Sequence, residues 1–373
     1  MAVEAGLGLI VASLFFFSCG RKESGVLIET VDGVRIVRNL ATKPEKTFKK
    51  LDVIEDLVVG ADEQSVEGLL YAPTDIDSDA KGTIYVLDQR DAVIQRFDAN
   101  GSFIGRIGRK GQGPGEFEGP VCLTVVPDGT ILVVDQPLRR LTTLAPNGDF
   151  MKSVILKDGV FDIALGKSGT VIAGYHDAGN SDICVGILDI DTGETTRLFG
   201  QRTYWPARTM NDAMTYDFPY FVVFALDSRD RLFVGSAVAY ELSVMDLKGR
   251  LELKFKKDKE RISVQGKLLD QIAGISLKWG PNPYIRDPYF PFFGSLAVDE
   301  RDRIWVRHYL PRFAARTNAE TPYDVFSSDG IFLFETRIPG HIASKLVFKN
   351  GFVYALKKTE PGSLLAVRLK IDE

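Results

Sequence analysis

The chain reads as an all-β protein whose small antiparallel sheets close into a ring, and three observations lead there. One phrase of short β-forming runs keeps returning after Asn39. Its central runs are apolar on both alternating faces. A lone β-like run near the start matches a strand missing at the end. Aligning the central turns of the phrase at Gly82, Gly129, Gly169, Asp230, Asp302 and Asn350 gives steps of 47, 40, 61, 72 and 48 residues. A period in the forties with four short strands per unit is the signature of a β-propeller. Runs such as Ile131-Leu132-Val133-Val134 suit a sheet held between two neighbours, which buries both of its faces. An open row would leave two apolar faces in water, so closure is favoured. The prediction is a six-bladed β-propeller of four-stranded antiparallel blades over residues 50–373. The alternatives are a β-sandwich, which lacks this periodicity, and a seventh blade hidden in residues 201–223 or 257–293.

From the amino terminus, residues 5–18 form an apolar run of about fourteen residues. That is short of the ~20 needed to span a bilayer and suits the core of a signal peptide. Residues 1–18 are read as that signal, and 19–49 as a lipid-attachment site, spacer and entry segment. Lys50 to Gly60 is the orphan run, expected to supply the outermost strand of the last blade. The clearest unit runs through Asp75-Ile76-Asp77, Thr83 to Asp88, Val93 to Asp98 and Ser102 to Gly108. Further units centre on Thr130 to Asp135, Thr170 to Gly174, Arg231 to Val234 and Arg303 to Val306. The sixth, from Leu346 to Leu369, stops one strand short.

Ser18-Cys19 after the apolar run resembles a bacterial lipoprotein lipobox, although Met1 to Glu4 carries no base and Phe16-Phe17 replaces the usual residues. The resemblance implies cleavage before Cys19 and lipid on its thiol; a cleaved secretory protein or an uncleaved anchor are the alternatives. The phrase Ile107-Gly108-Arg109-Lys110-Gly111-Gln112-Gly113-Pro114-Gly115-Glu116-Phe117, followed by Pro120, resembles the inter-blade phrase of NHL-repeat propellers. Asp128-Gly129, Val134-Asp135 and Asn147-Gly148 continue the likeness. With the lipobox-like start, the chain resembles bacterial six-bladed β-propeller lipoproteins related to NHL proteins. This implies a periplasm-facing, lipid-anchored protein of the cell envelope, with a soluble periplasmic or secreted protein as the alternative. No catalytic motif comes with the resemblance.

Composition narrows the function classes. Lys plus Arg number 46 against 50 acids, a net charge of −4, without the basic excess of a nucleic-acid binder. The 3 His fall in different repeats and form no zinc-ligand pair. Cys122 and Cys184 sit in apolar strands, where buried free thiols are the first reading and a disulfide the second. The glycines of 108–119 lack a following Gly-Lys-Ser/Thr, so they read as a blade crossover rather than a phosphate loop. Asp75, Asp77 and Asp79 resemble the start of a calcium loop, but Ala80 and Val86 stand where Gly and Glu are needed; they read as turn polarity. The basic run Lys254 to Arg261 reads as a solvated strand edge or loop, with lipid headgroups as a second reading, and Ser263 to Ile275 as a short helix.

Two insertions break the rhythm, residues 201–221 and 279–293, both rich in aromatics with Arg and Asn. Loops of this kind carry binding groups on a rigid scaffold. Arg208, Tyr216, Tyr284, Arg286 and Tyr289 are the candidate ligand-binding residues; capping of the blade ends is the competing account. The function expected is a monomeric binding or scaffold module for a protein, peptide or glycan, with no resident cofactor and no catalytic residue. The alternative is a metal-dependent hydrolase of lactonase type, or a lyase, with its site in the axial channel. Ca²⁺ would then be the ion, though no motif supports it.

Overall fold

The computed structural model describes residues 25–40, 48–60, 68–180, 182–201, 222–263, 289–309, 320–359 and 363–372. Among these no helix is long and apolar enough to cross a membrane, and every regular element is a strand. A hairpin of β1 (Val26–Val31) and β2 (Val34–Asn39) comes first, then β3 (Asp52–Val59). Blade one is β4 (Pro73–Ser78), β5 (Ile84–Asp88), β6 (Val93–Phe97) and β7 (Phe103–Ile107). Blade two is β8 (Pro120–Val125), β9 (Ile131–Asp135), β10 (Arg140–Leu144) and β11 (Phe150–Ile155). Blade three is β12 (Gly159–Leu165), β13 (Val171–His176), β14 (Ile183–Leu188) and β15 (Thr195–Gln201). Blade four is β16 (Val222–Leu226), β17 (Leu232–Ser236), β18 (Glu241–Met245) and β19 (Leu251–Lys257). Blade five is β20 (Phe293–Val298), β21 (Ile304–His308), β22 (Thr321–Phe326) and β23 (Phe332–Ile338). Blade six starts in two short pieces, β24 (His341–Ile342) and β25 (Val347–Lys349), and continues through β26 (Phe352–Lys358) and β27 (Leu364–Asp372).

The ring closes as expected. β3 pairs antiparallel with β27, Val59 opposite Ala366, Val58 opposite Val367 and Glu55 opposite Leu369. Arg368 to Asp56 and Lys357 to Glu55 add ion pairs across the join. Each of six buried apolar clusters sits at one seam between successive blades, the last joining blade six to blade one through Tyr354, Leu356, Ile76 and Val86. The first strands of neighbouring blades pack on one another and surround the axis.

The 19–49 stretch holds more than an entry segment. Its hairpin extends blade four to six strands, with β2 parallel to β19 and Val37 opposite Phe255. The Asn39 amide nitrogen donates to the carbonyls of Lys256 and Gly330, while its oxygen accepts from Phe332 N–H. β19 is therefore an interior strand. The basic run that starts on it is not simply a solvated edge, for the Lys257 side chain is only 11% exposed and ion-paired.

Antiparallel order gives the ring two unlike faces. Turns joining first to second and third to fourth strands lie on one, the turn face. Inter-blade connectors and second-to-third loops lie on the other, the loop face. Residues 202–221, 264–288 and 310–319 all connect strand ends on the loop face. The turn face is locked by the repeat itself. Asp230 and Asp302 hold φ of 57° and 58°, left-handed values that Asp tolerates better than most residues. Asp230 accepts from Lys167 and Ser168 N–H in blade three, and Asp302 accepts from Ser228 N–H at 2.8 Å and its hydroxyl at 2.7 Å in blade four. Asn350, at φ 59°, donates to Asp79 C=O of blade one. Where a blade has Gly at this turn the side-chain lock is absent.

The glycine-rich connector is structural, as its sequence context indicated. Gly113 N–H donates to Glu116, whose carboxylate pairs with Arg109 at 2.6 Å, and Phe117 is buried beneath. A Cβ on Gly111 would fall 2.2 Å from the Glu116 carboxylate. The two thiols, Cys122 and Cys184, are buried and free.

The turn lock separates two energies. Asp302→Gly should keep the turn and lose the two bonds, about 1 kcal/mol for such exposed groups. Asp302→Ala should cost about 1 kcal/mol more by forcing a Cβ without polar compensation into the left-handed region. Urea denaturation measures both, and equal losses would show that backbone strain is immaterial here.

Candidate functional site

Three of the ionisable side chains that line the axis come from first strands. Asp75 and Asp77 stand on β4 and Asp162 on β12, while Lys345 precedes β25 and Lys349 ends it. Lys345 reaches from blade six across to blade three, opposite in a six-membered ring. Its Nζ lies 2.6 Å from Asp162 Oδ1 and donates to Ile163 C=O at 3.1 Å. Lys349 pairs with Asp77 at 2.6 Å and donates to the carbonyls of Ser78 and Val125. The same acids clasp blade two: Asp75 accepts from Leu123 N–H at 3.0 Å, and Asp77 from Val125 N–H at 2.8 Å and the Thr124 hydroxyl.

Only part of the aspartate triplet is turn polarity, then. Asp79 does cap its turn through Lys81 and Thr83 N–H. Asp75 and Asp77 alternate inward from a strand and are buried. A period-two D-x-D pattern on an innermost strand is what a channel-facing pair looks like, and that signal was present in the sequence.

Electrostatics follow from this packing. Burial pushes the Asp75 carboxyl up to about 6, against the pull of Lys345 and with help from Asp162. Burial would lower the Lys345 ammonium, yet Asp162 and Asp75 together outweigh it and hold the group above its ordinary value. Burial, with Asp162 and Asp75, also raises the Cys122 thiol well above its usual range, which makes it inert as a nucleophile. A divalent ion on these acids would have to displace an ammonium already bonded there, so the channel donors do not fit a resident metal.

On the loop face a cleft of about 560 Å³ opens over blade four, lined by Tyr240, Glu241, Lys257, Lys259, Glu260 and Phe292 among others. Beneath it, in the seam between blades four and five, lies a buried polar network. Asp324 on β22 accepts from the Tyr240 hydroxyl and from His308 Nε2 at 3.0 Å, and pairs with Lys257 Nζ at 2.6 Å. Lys259 Nζ stands 3.0 Å from the His308 ring nitrogens. Burial would raise the Asp324 carboxyl, but the His308 hydrogen bond and the charges of His308, Lys257 and Lys259 draw it well below the carboxylate range. Burial lowers Lys259, with Asp324 opposing and Lys257 assisting. His308, Asp324 and Glu335 bring donor atoms within 4.8 Å of one another. Both Asp324 oxygens are already engaged, however, and two lysines supply the positive charge.

Tyr289 is the one candidate binding residue among the described positions; Arg208, Tyr216, Tyr284 and Arg286 lie outside them, as do Cys19 and the expected helix from Val264 onward. Tyr289 is 38% exposed and is linked to the cleft-lining Phe292 through the Arg261 guanidinium, which stacks 4.6 Å from the Tyr289 ring and 5.8 Å from that of Phe292. Phe292 in turn meets Tyr240 edge-on at 5.7 Å. Sequence reasoning missed Tyr240, Lys257, His308 and Asp324 because they come from two repeats and meet only when the ring closes.

With this geometry in view, comparison with known proteins agrees on architecture. Residues 73–150 match the DUF5128 family model, a 6-bladed beta-propeller. The chain is a six-bladed β-propeller. The matched stretch is blade one and most of blade two, where the NHL-like phrase is clearest. Among solved structures, a member of the DUF4221 family from Bacteroides vulgatus superposes with TM-score 0.57 at 14% identity, covering 87% of this chain and 99% of its own. A Bacteroides fragilis protein described as exported gives TM-score 0.54 at 12% identity, covering 91% of this chain and 100% of its own. Virginiamycin B lyase from Staphylococcus aureus follows at TM-score 0.46 and 11% identity, covering 86% of this chain and 99% of its own, a likeness too loose to bear on chemistry. No curated protein matches the sequence. At such identities the likeness concerns the fold alone.

Two measurements probe the axis. Lys345→Met leaves buried Asp75 and half-buried Asp162 without their cation and should destabilise by about 1–3 kcal/mol in urea, less than a fully buried pair would lose because water reaches Asp162. For Asp75 the folded pKa of about 6 lies above the ordinary 3.8, so its contribution is full below about pH 4 and lost as pH rises through 6. Stability should decline across that window, and Asp75→Asn should flatten the decline; an unchanged decline would assign it to another group.

Proposed function

We propose that this propeller is an exported, non-catalytic binding module, tethered by lipid at Cys19, that engages a protein, peptide or glycan on its loop face. The observation that carries the reading is Lys345. Its ammonium reaches from blade six across the axis to acids of blades three and one, Asp162 and Asp75, so the protein's own charges occupy the channel. A ligand would then be sought on the loop face, where Tyr240 and Phe292 line a cleft and Arg261 stacks between Phe292 and Tyr289. Aromatic faces beside a guanidinium suit sugar rings and peptide groups, and aromatic and Arg side chains dominate recognition surfaces generally. Arg208, Tyr216, Tyr284 and Arg286, the other candidate binding residues of the two insertions, are proposed to extend this surface. The tether rests on the lipobox-like Ser18-Cys19, and export is supported by the fold shared with the Bacteroides fragilis protein. Acyl chains contribute about 0.8 kcal/mol per buried CH₂, so several make a durable anchor. The protein acts as a monomer in this reading.

Metal analysis with thermal shift in EDTA and Ca²⁺ separates this from the metal-hydrolase or lyase reading. No stoichiometric ion and no Ca²⁺-dependent stabilisation are expected; one Ca²⁺ per chain with a raised Tm would restore the enzyme reading. Glycan and peptide arrays should yield a ligand whose affinity falls about tenfold in Tyr289→Ala, the scale of losing one aromatic anchor. Cys19→Ala should move the protein from the membrane to the soluble fraction, and continued membrane association would defeat the lipid tether.

A further inference from the structure

Blade five is polar on both faces of the same strands. His308 and Asp324 point into the blade four–five seam, and their chain neighbours Arg307 and Tyr323 point into the blade five–six seam. One cross-strand row runs through the second face: Ser295 opposite Arg307, Arg307 opposite Tyr323, Tyr323 opposite Thr336. Unlike the first face, this row is not neutralised. Arg307 Nη1 donates to Ile342 C=O at 2.7 Å and Ser344 C=O at 3.2 Å, both in blade six, and no acid lies within ion-pair reach among the described residues. Tyr323 is 1% exposed and Thr336 fully buried, yet neither hydroxyl has a hydrogen-bond partner among the described residues. His341 Nδ1, across the seam, is likewise buried and unpartnered. Lys358, paired with His341 across β24 and β26, also has no acid within ion-pair reach among the described residues.

A cation set in a seam with only carbonyls for company is poorly compensated, because carbonyl dipoles do not replace a counter-charge. Its fork of donors matches a carboxylate or phosphate edge. Gly294 makes room: a Cβ there would stand 3.1 Å from the Arg307 guanidinium, and Gly294 is the extra residue of a bulge in the innermost strand. Burial and the charges of Arg307 and Lys358 keep His341 below its ordinary value, as expected of an imidazole among cations awaiting an anion. We infer that the blade five–six seam, near the loop-face end of the channel, is an oxyanion site in which Arg307 binds a carboxylate or phosphate group, with Tyr323, His341 and Lys358 completing it. This site is separate from the cleft on the other side of blade five and does not depend on it.

The test is thermal shift and calorimetric titration of the purified protein with inorganic phosphate, sulfate, acetate and glucuronate, at ionic strength matched with chloride. At least one oxyanion should raise Tm saturably where chloride does not; phosphate or sulfate acting alone marks a phosphate group, and acetate or glucuronate alone a carboxylate. Arg307→Gln should abolish the response. Should that variant fail to fold, Tyr323→Phe decides: it removes an unpartnered hydroxyl, so the anion-free protein should be unchanged or more stable, while anion affinity falls about three- to tenfold. An oxyanion response no larger than that of chloride, or one unaltered in Tyr323→Phe and Arg307→Gln, would overturn the site. Tyr289→Ala should leave it intact, so its failure and that of the loop-face reading are distinguishable.

Discussion

Closure of the ring is the constraint on which the rest depends. A blade of four strands buries both faces only while it has a neighbour on each side, and six seams do this when β3 completes the sheet begun by β24 and β25. Each seam then becomes an interior, so any polar side chain that alternates into it has to be matched from the facing blade or left at a cost. The functional candidates are consequences of that rule. Lys345 and Asp162 match across the axis, Lys257 and Asp324 match across a seam, and Arg307 is the cation for which the facing blade offers only carbonyls.

Alternation makes these outcomes inseparable on blade five. Because successive residues of a strand point to opposite faces, the pairs His308/Arg307 and Asp324/Tyr323 deliver one polar layer to each flanking seam. In the blade four–five seam two acids, Asp324 and Glu335, meet two lysines and the network is nearly neutral. On the opposite side the balance is positive. A shift of one residue in the register of β22 would exchange these layers and place Asp324 against Arg307, so the pairing Val306 to Asp324 keeps the two environments distinct.

What the sequence disclosed depended on the range of the interaction. The repeat was legible because every unit spells out its own strands and turns, and even the lock residues Asp230, Asp302 and Asn350 fell on the aligned turn positions. The closing strand was legible from arithmetic: one run too many at the start, one too few at the end. The β1–β2 hairpin was not, because its parallel pairing with β19 lies more than two hundred residues away and leaves no local pattern. Lys257 illustrates the same difficulty. In a run of bases it looks solvated, and only the hairpin covering β19 and the approach of Asp324 from blade five make it a buried partner. The roles of Asp75 and Asp77 were nearer the surface of the sequence, in their period-two spacing, but resemblance to a metal loop drew attention to their chemistry rather than their geometry.

The axial lysines bear on why so widely shared a scaffold says little about chemistry. A channel lined by inward acids invites a cation, and a fold can satisfy it with a bound ion or with a side chain of its own. Here a strand piece of two parts, β24 and β25, replaces a continuous innermost strand in blade six, and Lys345 lies in the break between them. The interruption frees the chain at that point from ladder pairing and lets the ammonium extend to blade three. An internal cation cannot leave, so the acids it holds are committed to the scaffold, whatever is bound elsewhere. In the proposed reading recognition is thereby left to the loop face and to whichever seams remain electrically unbalanced, and among the described residues the Arg307 layer is the clearest imbalance.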